Sequence, residues 1–204
     1  MTRLNSVKRR TLMLAGLALC AGLALPAQHA AAYAGGADTV RAFYSTLLDT
    51  MRNGPALGVQ GRYARLSPAI QRSFDIPFMT RLAVGPDWNS LTQAQQAQVT
   101  EAFERYVAAV YAERFHKYAG EQLTVTGEQA SPAGVVITSL IKPSDGEAVH
   151  INYLMRSDKI ADVYLNGTIS ELATRRSEFS GILKASGING LIAALNGKAA
   201  ALAS

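Results

Sequence analysis

Cysteine is almost missing. Cys20 is the only one in 204 residues, and one cysteine cannot close an internal disulfide. Histidine is scarce too: of three, only His116 and His150 lie beyond residue 34. Two histidines without cysteine make a poor transition-metal site. Charge is sparse, at 17% of residues, and Lys and Arg are scattered singly, without the basic stripe that tracks a nucleic-acid backbone. The order G-x-S-x-G, the pair H-E-x-x-H, a phosphate-binding loop and G-x-G-x-x-G are all absent, so the common hydrolase, zinc and nucleotide signatures fail. Beyond residue 25 no apolar run approaches the roughly 20 residues that span a bilayer.

What is present begins with an export signal. Lys8-Arg9-Arg10 is a positive head and Leu12 to Leu25 an apolar run ended by Pro26. Ala30-Ala31-Ala32 or Ala32-Tyr33-Ala34 then supplies a small-x-small cleavage site. Arg9-Arg10-Thr11-Leu12-Met13 fits the twin-arginine pattern only in part, which favours the general secretory route. Residues 1–34 are therefore expected to be removed, Cys20 with them, leaving a periplasmic domain over residues 35–204. The net charge of +5 belongs mostly to this leader. Four of the 20 basic residues (Arg3, Lys8, Arg9 and Arg10) precede the first acidic one, Asp38, which leaves 16 basic against 15 acidic groups.

The whole chain is 49% apolar, enough for one sizeable core. Val40, Phe43, Tyr44, Leu47, Leu48 and Met51 recur with the helical period over Asp38 to Arg52, and Asn53-Gly54-Pro55 stops that helix. A shorter helix over Val59 to Leu66 follows, and Ser67-Pro68 is expected to start another. Phe78 to Val84 is helical and closed by Gly85-Pro86. Thr92-Gln93-Ala94-Gln95 is a capping box opening a long helix to about Phe115, with Val99, Phe103, Tyr106 and Val110 as its buried stripe and Glu101–Arg105 as a surface pair.

After Gly120 the period changes from 3.6 to 2. Leu123 to Gly127, Val135 to Ile141, Val149 to Ser157 and Ile160 to Leu165 read as four strands with connections short enough to force antiparallel neighbours. Helices over Ser170 to Lys184 and Gly187 to Leu195 follow, and the small, polar tail from Gly197 is expected to fray. The order gives an α+β domain: a curled four-stranded antiparallel meander packed against N-terminal and C-terminal helices.

Phe74-Asp75-Ile76-Pro77-Phe78-Met79, Leu82-Ala83-Val84-Gly85, Trp88, the Thr92–Gln95 cap and Phe103 together resemble the exported lipid carriers of the MlaC, or toluene-tolerance, family. Asp162-Val163-Tyr164-Leu165-Asn166-Gly167, leading to Arg175-Arg176-Ser177-Glu178-Phe179, extends the resemblance. The spacing Gly167-Thr168-Ile169-Ser170 is closest in wording to the hopanoid-associated HpnM branch. The resemblance implies a cone like that of nuclear transport factor 2. It also implies a non-catalytic, cofactor-free, monomeric carrier in the Gram-negative periplasm that exchanges a hopanoid or phospholipid with a membrane-bound transporter complex. A chain of about 15 methylenes costs on the order of 12 kcal/mol to expose to water, so such a lipid needs cover.

A hollow apolar cone binds an apolar ligand. The candidate lining is Phe43, Leu47, Phe78, Leu82, Tyr106 and Val110 from helices and Tyr153, Met155 and Val163 from strands. Strands such as Val135-Val136-Ile137 are apolar on both sides, so a one-residue slip would exchange the strand set. Asp162 and Arg176 are expected to form an ion pair tying the C-terminal helix to the sheet. Two other classes remain: an enzyme of the same cone using Asp162 or His150 as a buried base, and a structural envelope adaptor with a filled core. N-terminal sequencing of the exported protein should begin just after Ala32 or Ala34; a mature form beginning at Met1 would contradict the leader.

Overall fold

The computed structural model describes residues 35–204; the export signal expected over residues 1–34 lies outside the described residues. Five helices and one antiparallel sheet make up the fold. Helices α1 (Gly36–Arg52), α2 (Gly54–Ser73) and α3 (Ile76–Val84) come first, then a 3-10 turn (Gly85–Ser90) and α4 (Gln93–Arg114). Strands β1 (Gln122–Ser131), β2 (Gly134–Lys142), β3 (Val149–Arg156), β4 (Lys159–Leu165) and β5 (Ile169–Ser170) follow, and α5 (Glu171–Leu202) ends the chain. No described helix is long and apolar enough to cross a membrane.

The sheet runs in sequence order, β1-β2-β3-β4-β5, and so has five strands rather than the expected four. The extra strand is short. Asn166 and Gly167 take positive φ (50° and 77°), the geometry that Asn-Gly supplies in a tight hairpin. The chain then folds back, so that Ile169 faces Leu165 and Ser170 faces Tyr164. On β2 and β3 the alternation is clear: Val135, Ile137, Ser139, Ile151, Tyr153 and Met155 are buried on the inner face. On β4 four consecutive residues are buried, because a bulge at Ala161 shifts the register between Leu154–Asp162 and Met155–Ile160.

The capping box at Thr92 forms as expected: Gln95 N–H donates to Thr92 Oγ1 and Thr92 N–H to Gln95 Oε1. Helix α4 is the central rod. Ala102, Ala108, Ala109 and Ala112 are buried beside the aromatic stripe, which lets α2 and α5 approach it closely. Arg62 of α2 is buried and donates to the carbonyls of Ala112 (2.7 Å) and Gly54 (3.1 Å), so it both neutralises the end of α4 and ties two helices. Gly54 is fixed by contact, since a Cβ there would lie 2.1 Å from the His116 carbonyl oxygen.

Two expectations about helix ends are corrected. Ser67-Pro68 does not start a helix: α2 runs through Pro68 and bends instead at Gly58, whose φ of 60° only glycine adopts freely. Burial of Leu66, Ala69 and Ile70 offsets the donor that proline removes. The tail beyond Gly197 does not fray either. Helix α5 bends at Gly187 (φ 62°) and continues to Leu202, folding back far enough for Lys198 to pair with Glu178 and Asn196 to accept from Arg105. Leu191, Leu195 and Ala199 are buried along this second limb.

The expected Asp162–Arg176 pair is absent. Asp162 is buried and accepts from Val163 N–H (2.7 Å), Leu172 N–H (3.1 Å) and the Ser170 hydroxyl (2.6 Å). It therefore holds the first turn of α5, where the helix dipole favours a negative charge. Arg176 is exposed and lies against Gly85. Asp162→Asn should lower unfolding stability by about 1–3 kcal/mol, whereas Arg176→Gln should change it by less than about 0.5 kcal/mol. Urea denaturation of both variants and of the double variant checks this, and non-additive effects would restore the ion pair.

Candidate functional site: an apolar cavity between sheet and long helix

Between the inner face of β2–β4 and the second half of α4 the side chains leave a cavity of about 280 Å³. That is roughly twenty times the space one water needs. From the sheet its walls are Ile141, Val149, Ile151, Tyr153, Val163 and Leu165. From α4 they are Phe103, Tyr106, Val107, Val110 and Tyr111, followed by Phe115 just past its end, with Leu47, Phe74, Met79 and Leu172 closing the remaining sides. Three charged side chains also line it: Arg114, Glu171 and Arg175. Arg114 and Val149 are the exposed members of the lining, so they mark the side open to solvent.

Aromatic rings separate the helix from the sheet. Tyr111 stacks on Phe115 at 5.5 Å, and Phe43 and Phe74 meet Tyr111 edge-on at 5.4 and 5.9 Å. Tyr44 meets Tyr153 edge-on at 5.8 Å. The Ser139 hydroxyl donates to the Ile151 carbonyl and so accepts from the Tyr44 hydroxyl at 2.6 Å, which satisfies the polar atoms of an otherwise apolar wall. Burial pushes the Tyr153 hydroxyl well above its usual pKa and raises Tyr44 and Tyr111 as well. These phenols stay neutral at ordinary pH, so the aromatic part of the wall carries no charge.

Of the nine side chains expected to line a cavity, Leu47, Tyr106, Val110, Tyr153 and Val163 do so. The other four do not. Phe43 is buried one layer behind, against Phe74 and Tyr111. Met155 is on the correct sheet face but at its closed end, against Gly36. Phe78 lies under the Arg156 guanidinium, 4.8 Å from its ring centroid, in a surface cluster where Arg156 also pairs with the α3 cap Asp75 (2.8 Å). Leu82 is 38% exposed. Helix α3 turns Met79 and Ala83 inward, one residue and thus about 100° from the stripe expected through Phe78 and Leu82.

Arg175 also lines the cavity, whereas its neighbour Arg176, expected to pair with Asp162, is exposed. Arg175 donates to Glu171 (3.2 Å) and Glu178 (3.0 Å) and lies 5.4 Å from the Tyr106 ring centroid. Burial raises the Glu178 carboxyl, but hydrogen bonds and charge from Lys198 and Arg175 outweigh it and hold the group below its usual range. Among the described residues no three His, Cys, Asp or Glu side chains gather as for a metal. Asp162 and His150, the candidate bases, do not line the cavity: Asp162 accepts three hydrogen bonds at the foot of α5, and His150 is exposed on β3. The arrangement can enclose hydrocarbon and meet a polar group at its mouth.

No curated protein matches the chain. Among solved structures, a phospholipid-binding protein from Ralstonia solanacearum, determined in complex with a phospholipid, superimposes with a TM-score of 0.70. The two are 23% identical, over 83% of this chain and 99% of that one, so the likeness is one of fold. The family model described as MlaC protein matches residues 41–197, from the first turns of α1 to the last turns of α5. With about three quarters of its length inside that match, the chain belongs to the MlaC family.

Proposed function

We propose that this protein is a periplasmic lipid carrier without catalytic activity, and the apolar cavity of about 280 Å³ carries the reading. A pocket of this size and lining suits hydrocarbon. The phospholipid held by the Ralstonia protein of like fold supports a membrane lipid as ligand, with phospholipid and hopanoid the two candidates. The export signal over residues 1–34 supports a periplasmic setting after cleavage. The further reading is a monomeric shuttle, enclosing its cargo in the manner of the nuclear-transport-factor-2-like cone. It exchanges lipid with a membrane-bound transporter complex on one side and an outer-membrane component on the other.

The energetics suit a passive shuttle. Moving a lipid chain from bilayer to an equally apolar cavity changes free energy little, whereas exposing it to water costs about 0.8 kcal/mol per methylene. Loading and unloading are then near-neutral, and partners set the direction of transfer. Five residues of the cavity wall, Leu47, Tyr106, Val110, Tyr153 and Val163, are the proposed chain contacts.

Mass spectrometry of an organic extract from the purified exported protein should find a co-purifying lipid at close to one per chain. Val110→Trp fills the cavity from α4 and should reduce retained lipid by at least about tenfold at unchanged fold, since overpacking in a cavity displaces its occupant more than it strains the core. An extract without lipid, from a protein that also refuses added phospholipid and hopanoid, would overturn the carrier and favour the adaptor.

A further inference from the structure

The charged part of the rim is unevenly committed. Arg175 is held by Glu171 and Glu178, and its guanidinium faces Tyr106. The first turn of α5, a natural anion site beside it, is filled as well: Leu172 N–H donates to Asp162 and Ala173 N–H to Ser170 Oγ. Glu171 stands on the same turn and lines the cavity, so an anion approaching from the α5 side meets a carboxylate. Arg114 differs. It lines the cavity on the open side, and among the described residues it makes neither an ion pair nor a side-chain hydrogen bond. The end of α4 that carries it is fixed by the Tyr111–Phe115 stack and by Arg62 on the Ala112 carbonyl.

Resting on the carrier reading, we propose that Arg114 is the headgroup-reading residue of the site. An amphiphile with its chain in the cavity places an anionic group, phosphate or carboxylate, against the Arg114 guanidinium rather than at the N-terminus of α5. The guanidinium fork matches either anion with two parallel N–H donors. The Glu171 carboxylate on the first turn of α5 disfavours the alternative placement and steers the anion to α4. Arg114 thereby biases the carrier toward anionic amphiphiles, while the apolar wall remains indifferent to the headgroup.

Isothermal titration of the exported protein with palmitate, a lysophosphatidylglycerol and the uncharged monopalmitoylglycerol tests this. Arg114→Gln should weaken the two anionic ligands by about tenfold at low salt and leave monopalmitoylglycerol unchanged. Arg114→Lys should recover part of the loss. Lys117→Gln, an exposed cation on a separate cleft, should change nothing and so excludes a general field effect. Equal anionic affinity in wild type and Arg114→Gln would overturn the proposal. Displacement of the anionic lipids by inorganic phosphate would also overturn it, by making this a free-anion site. Failure of all three amphiphiles to bind would sink the carrier reading itself, a result separate from binding without headgroup preference.

Discussion

The cavity depends on a set of rings that cannot be compressed. Tyr111 and Phe115 stack along α4, and Phe74 and Phe43 brace Tyr111 edge-on from the side of α1 and α2. Phe74 is fixed in turn by its bridge to Ile160 on β4, and the adjoining Asp75 N–H donates to the Ile160 carbonyl. The long helix therefore stands off the sheet at a distance that aromatic edges set, and the space between is left unfilled. Apolar walls that face no side chain forgo the dispersion contacts of close packing, which is a cost in stability. Leu66, Ile70, Val99 and Ile137 are fully buried elsewhere in the core, and hydrocarbon entering the cavity recovers the lost contacts.

The same frame separates the apolar wall from a charged rim. Burial keeps Tyr44, Tyr111 and Tyr153 neutral at ordinary pH, so these rings add no charge beside the cavity. Charges gather where α4 ends and α5 begins. Asp162 holds the foot of α5 through backbone donors, and Glu171, Arg175, Glu178 and Lys198 link its two limbs across the bend at Gly187. A ligand with an apolar body and a polar end meets both environments at once, which is the division a membrane lipid presents.

Much of this was legible in the sequence where a local signal had one physical reading. The Thr92–Gln95 capping box and the change of period after Gly120 are of that kind, whereas the phase that turns Tyr153 and Val163 inward is one of two that the sequence leaves open. The errors arose where two readings competed. On α3, Ile76, Phe78, Met79, Leu82, Ala83 and Val84 are apolar almost all round, so periodicity gave the helix but not its phase, and the stripe was placed about 100° off. The Asp162–Arg176 pair failed for a different reason: backbone N–H groups and the Ser170 hydroxyl at the foot of α5 occupy the Asp162 carboxylate, and Arg176 is exposed. Pro68 looked like a helix start because its local cost was weighed without the tertiary burial of Leu66, Ala69 and Ile70. Asn166-Gly167 was a hairpin signal in plain view, but the two residues of β5 after it are too few to show alternation. The cavity itself had no sequence signal, because whether rings close-pack or hold a space open depends on their mutual angles.

Paramagnetic broadening of methyl resonances by a phospholipid carrying a nitroxide on its acyl chain addresses the central claim most directly, because it reads where the chain lies. The account predicts broadening at Val110, Ile151, Val163 and Leu165, all on the cavity wall, with Val40, Val99 and Ile137 in the close-packed core left sharp. Broadening confined to Leu82 and Ile169 on the surface, with the wall methyls unaffected, would show that the chain never enters the cavity and would contradict the account.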